Sequence, residues 1–146
     1  SQAQEKVSNV VWAPFSSFFR EWDLYLKETV EQFRMELCPF FKQFGTVGLR
    51  FDHLERALHE SIDYRLNQLL GRIPLELEIL FKDKCSMALK DQPKTECGQI
   101  VEQWFAPESW LRQFIGQLFR ALSSLLQFRF ERLQAVVEAA CRFDNL

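Results

Sequence analysis

The sequence predicts an all-α fold, a single-domain bundle of four to five helices closed by two disulfides. Three observations carry that expectation. Apolar residues recur at steps of three and four through most of the 146 residues, the period of a helix with one buried face. The five glycines and five prolines fall where those periodic runs start or stop. The four cysteines include no Cys-x-x-Cys spacing, and an even count of that kind reads as two bridges rather than a zinc or redox motif.

The elements follow in order. Residues 1–13 are expected to be an extended or flexible N-terminal segment. Pro14 then opens a helix over 15–37, with Phe15, Phe18, Phe19, Trp22, Leu26, Val30, Phe33 and Leu37 on its apolar side. Pro39 marks its end or a kink. Residues 40–48 form a connector broken by Gly45 and Gly48. A second helix spans 49–70 through Phe51, Leu54, Leu58, Ile62, Leu66 and Leu69, and Gly71 takes the left-handed position that closes a helix cheaply. Pro74 starts a third helix over 75–90, although Leu75-Glu76-Leu77-Glu78-Ile79 alternates as a strand would. After the turn at 91–94, Thr95 caps a short helix carrying Ile100, Val101, Trp104 and Phe105. Ala106-Pro107-Glu108 separates it from the strongest periodic run, Trp110 to about Phe143, which is one long helix or one kinked at Gly116 or Ser123-Ser124.

The helix ends rank the cysteine pairings. Cys85 and Cys97 bracket one turn, so a Cys85–Cys97 bond staples a helical hairpin. Cys38 and Cys141 each end a helix and meet if the first and last helices run the same way. Two such bridges imply an oxidising, extracellular setting. The start, Ser1-Gln2-Ala3-Gln4-Glu5-Lys6, has no initiator Met and no basic-then-apolar pattern, which reads as a mature chain or an excised domain.

Composition narrows the function classes. The formal net charge is −2 with both signs interleaved, and Arg112, Arg120, Arg129 and Arg132 scatter around the last helix, so no basic stripe serves a nucleic acid. No apolar run is long enough to span a membrane. Catalytic motifs are missing, as are metal or cofactor signatures. One polar constellation stands out: Glu55, His59 and Asp63 stack along one helical face. Such a histidine between two carboxylates can have its pKa raised or serve a divalent ion, but charged ladders of this spacing are most often solvated faces.

The aromatic residues carry the remaining signal, with fifteen Phe and four Trp. Phe18, Trp22, Phe33, Phe51, Phe81, Phe114 and Phe119 fall on inward faces and read as core. The surplus, assigned to ligand or partner binding, is Phe15, Phe19, Phe40, Phe41, Phe44, Trp104, Phe105, Trp110, Phe128 and Phe130. Adjacent pairs within it cannot both face one interior, because neighbours on a helix diverge by about 100°. The sequence therefore leads to a non-enzymatic, secreted helical protein that carries a lipid or other hydrophobic molecule in an aromatic-lined cavity. The alternative is a protein–protein recognition module that meets another protein or a second copy of the chain. That alternative is a cytokine-like ligand or a receptor ectodomain fragment, and in size, helices and paired cysteines the chain resembles four-helix cytokines in outline.

Overall fold

A computed structural model describes residues 2–91 and 102–144. The described residues form four long helices and no strand: α1 (Gln2–Lys42), α2 (Gly45–Leu70), α3 (Ile73–Lys90) and α4 (Trp110–Asp144). The all-α class is as expected. Residues 102–104 are also helical, while most of the short helix expected before Trp110 lies outside the described residues.

The chain divides into two compact units, Ser1–Glu21 with Arg72–Ser123 and Trp22–Gly71 with Ser124–Leu146. In the first unit, Ser8, Trp12 and Phe19 of α1 pack with Leu77, Phe81 and Cys85 of α3 and with Leu111, Phe114, Leu118 and Leu122 of α4, all buried. The centre is ring on ring. Trp12 lies 5.3 Å from Phe81 and 6.0 Å from Phe114, and Phe15 lies 5.5 Å and 5.8 Å from the same two rings. Phe18 meets Phe119 further along, so α1 and α4 run in the same direction here.

In the second unit Val30, Leu37 and Phe41 of α1 form one cluster with Leu133, Val136 and Ala140 of α4. Phe51 and Leu58 of α2 cover its side, and Phe33 meets Phe130 at 5.7 Å.

Several expectations need correction. Residues 2–13 are helical rather than extended, because Ser8 and Trp12 continue the buried stripe of α1. Pro14 thus sits inside the helix at an exposed position. A buried Trp side chain offsets a cost of about 3 kcal/mol for an interior proline. Pro39 is also inside α1, which closes through bonds from the Gln43 and Phe44 amides to the Phe40 and Phe41 carbonyls.

The expected connector over 40–48 shrinks to Gln43-Phe44. Gly45 reverses the chain at φ +60°. Gly48 lets α2 approach α1 closely: a Cβ there would lie 1.7 Å from the Phe41 carbonyl oxygen. Gly71 is right-handed at φ −62°, with its amide on the Asn67 carbonyl, so it does not supply the left-handed closure expected of it. Pro74 does sit in the first turn of α3. The last helix runs unbroken through Gly116 and Ser123-Ser124. Its start is capped by Ser109, whose Oγ accepts from the Arg112 amide at 3.3 Å and donates to the Trp104 carbonyl.

The disulfide framework is absent among the described residues: Cys38, Cys85 and Cys141 form no bridge, and Cys97 lies outside them. Cys38 sits on the α2 side of α1, where the Arg56 guanidinium approaches its Sγ to 4.0 Å. Cys141 follows Phe130 by eleven residues, three helical turns, and so shares the α4 face that Phe130 turns to the other flank of α1. Cys85 is wholly buried in the first unit. With these bridges missing, the cysteines no longer argue for an oxidising compartment. Among the described residues no helix is long and apolar enough to cross a membrane.

Candidate functional site

The ten aromatic residues expected to bind a ligand or partner do not form one site. Phe19, Phe41 and Trp104 are core, at 2%, 1% and 3% exposure. Phe15, Phe40, Phe44, Trp110 and Phe130 are half-buried. Phe15 and Trp110 close around Phe81, Trp110 also stacks edge-on against Trp104, and Phe40 touches both Phe41 and Phe44. Phe105 and Phe128 are exposed. Conversely Trp22, Phe33 and Phe119, read as core, are exposed at 43%, 40% and 54%.

Two features of the second unit remain as functional candidates. The first is an aromatic edge where α1 and α4 adjoin. Trp22 and Tyr25 meet edge to face at 5.6 Å, and Phe33 lies two turns beyond Tyr25 on the same helix. Phe130 receives the Phe33 ring from α4, and Leu126 precedes Phe130 by one turn. Tyr25 and Leu126 are exposed as well. Sequence reasoning missed this edge because Trp22 and Phe33 fit an apolar stripe of heptad spacing.

The second is a polar network linking α1, α2 and α4. Glu55 is buried at 5% exposure and takes Arg34 in a forked bond, Nε to Oε1 at 2.7 Å and Nη2 to Oε2 at 3.1 Å. Arg34 also holds Glu31 at 2.9 Å. Burial alone would lower the Arg34 pKa, but the bonds and charges of Glu55 and Glu31 outweigh it and raise the value. His59 is 4.0 Å from Glu31 through Nε2 and 3.0 Å from the Arg132 guanidinium through Nδ1. A guanidinium can only donate, so Nδ1 is the acceptor of this contact.

Burial lowers the Arg132 pKa, Glu55 opposes that effect, and the nearby Arg34 charge adds to it. Buried Arg129 reaches Asp23 and Asn67, both at 3.4 Å. Asn67 donates to Asp63, and Lys27 pairs with Asp23 at 2.7 Å. The sequence marks Glu55, His59 and Asp63 as a solvated ladder; the structure buries the first and places the other two on partners from α1, α2 and α4.

Four cations, Lys27, Arg34, Arg129 and Arg132, face four carboxylates, Asp23, Glu31, Glu55 and Asp63, in this network. An open cleft of about 310 Å³ beside it is lined by both signs, among them Lys27, Glu31, Asp63 and Arg129. A lining of interleaved sign, with Glu28 beside these residues, singles out no one charged ligand. Among the described residues no three His, Cys, Asp or Glu side chains converge as a metal site requires.

No protein-family model, no curated protein and no solved structure matches this chain.

Proposed function

We propose that this chain is a non-enzymatic helical recognition module, meeting another protein through the aromatic edge of α1 and α4 in its second unit. The observation carrying this reading is the exposure of Trp22, Tyr25, Phe33 and Leu126, between 38% and 58% each, along one edge anchored at Phe130. Tyr and Trp so placed are the residues that dominate binding energy when a partner excludes water from them.

Carriage of a hydrophobic molecule draws less support. Phe15 and Trp110, expected to line a cavity, fill the space around Phe81 instead. The clefts along α1 and α2 are bordered by Glu31, Arg34, Glu55 and Arg56, a lining that would strip no water from a lipid tail at a profit. The polar network reads as a device for fixing helix register, since each buried charge has its partner on another helix. His59 has its one acceptor nitrogen engaged by Arg132, which leaves it poorly placed as a general base.

Selection from an unbiased displayed peptide library tests the reading. Binders should enrich on the native chain and lose affinity for a folded Tyr25→Ser, Phe33→Ser variant. A library yielding no such binders, together with lipid co-purifying in native mass spectrometry, would return the function to carriage.

A further inference from the structure

We infer that the partner of the aromatic edge is a basic amphipathic helix, an inference that rests on the recognition reading above and adds the partner's chemistry. Three exposed glutamine–glutamate pairs border the edge. On α1 the Gln32 amide donates to Glu36 at 3.4 Å; on α4 Gln127 donates to Glu131 at 2.9 Å and Gln134 to Glu138 at 2.8 Å. At this i,i+4 spacing a lysine would neutralise the carboxylate. A glutamine orients it and leaves the charge in place. Among the described residues Glu36, Glu131 and Glu138 have no ion-pair partner, whereas Asp23 and Glu31 on the opposite flank of α1 are paired with Lys27 and Arg34.

The cations level with Phe33 and Phe130 turn elsewhere, while Arg142, four residues past Glu138, borders a second cleft with it. Arg34 binds Glu55, Arg129 binds Asp23, and Arg132 binds His59. Phe33 and Phe130 thus lie between oriented, uncompensated carboxylates, and a shallow cleft of about 400 Å³ runs along α4 past Phe130, Glu131, Gln134 and Glu138. That surface complements a helix with apolar anchors one or two turns apart and Lys or Arg on both sides of them. An anionic lipid surface or a nucleic acid would meet the same carboxylates as repulsion.

Fluorescence anisotropy on the full chain tests this, using a labelled peptide of about 18 residues, long enough for helix formation, with leucines at i, i+3, i+4 and i+7 and lysines elsewhere. At about 0.05 M salt, where screening is weak, the peptide should bind. The triple variant Glu36→Gln, Glu131→Gln, Glu138→Gln should weaken it roughly tenfold, as should about 0.5 M salt. Tyr25→Ser should weaken it too, and the same peptide with glutamate in place of lysine should not bind. Equal binding of both peptides, or loss with Tyr25→Ser but none with the glutamine triple, overturns the basic partner and leaves the edge as a docking surface. Failure of the lysine peptide to bind, or binding indifferent to all four substitutions, overturns the inference, and the library selection then decides the recognition reading by itself.

Discussion

At the scale of single residues, the informative side chains are polar ones in apolar positions. Glu55 is buried with Arg34 forked onto it, so removing Arg34 strands a buried carboxylate, whereas removing Glu55 leaves Arg34 paired with Glu31. Arg34→Met should cost about 3–5 kcal/mol in urea unfolding, because it leaves buried Glu55 unpaired, whereas Arg34→Met combined with Glu55→Leu should recover most of that loss. A single variant within about 1 kcal/mol of wild type would show the pair to be water-exposed in solution. Cys85 offers a different probe. Burial pushes its thiol pKa up, with the Ser8 side chain acting against that in smaller measure. The folded chain then holds the thiol proton more tightly than the unfolded chain does. Its contribution is complete below the ordinary thiol range and is lost as pH rises through the raised value. Denaturant midpoints of the wild type should therefore fall more steeply between about pH 7 and pH 10 than those of Cys85→Ala; equal slopes would mean an accessible thiol.

At the scale of elements, the lesson lies in the period of the two long helices. The buried positions of α4 repeat every eleven residues as Leu111, Leu122 and Leu133, as Phe114, Leu125 and Val136, and as Leu118, Arg129 and Ala140. On α1 the same interval links Ser8, Phe19, Val30 and Phe41, all buried. Eleven residues overshoot three turns by about 20° and seven fall short of two by about the same, so the longer interval drifts less per residue. The α4 stripe was legible because its apolar residues follow the longer interval almost without interruption. A second stripe of α1 reads Trp12, Asp23 and Arg34, so two inward positions are polar and the apolar pattern points to Trp22 and Phe33 instead. That substitution hid both the polar network and the aromatic edge. Local signals misled in a similar way: Pro14 looks like a first turn, but the residues before it carry the buried stripe further. Pro14→Ala at this exposed interior position should stabilise the chain by about 1–3 kcal/mol in thermal or urea unfolding. Loss of stability would show that the imide ring is packed or that the bend is used. Gly48→Ala should do the opposite, since its Cβ would fall inside the contact distance of the Phe41 backbone and force α1 and α2 apart.

At the scale of the whole molecule, the cysteine count led furthest astray, because a count carries no direction. The first and last helices do run the same way, as a Cys38–Cys141 bridge requires, yet the two cysteines face opposite flanks of α1. Stability must then come from the cores themselves, one built of rings around Phe81 and Phe114 and one of the Val30, Phe41, Leu133 cluster. The consequence is measurable. A bridge closing a loop of about 100 residues would contribute up to roughly 4–5 kcal/mol. Its reduction would lower the melting temperature of a chain this size by well over 5 °C. The melting temperature should instead be the same with and without a strong reductant. In the native protein without reductant, an alkylating reagent should modify exposed Cys141 ahead of half-buried Cys38, and Cys85 only on unfolding. A reductant-dependent melt with Cys38 and Cys141 recovered as one crosslinked peptide would mean that α1 or α4 rotates about its axis to bring those flanks together. Rotation of α1 would also pull Arg34 from Glu55, and the same sample would then lose its sensitivity to Arg34→Met.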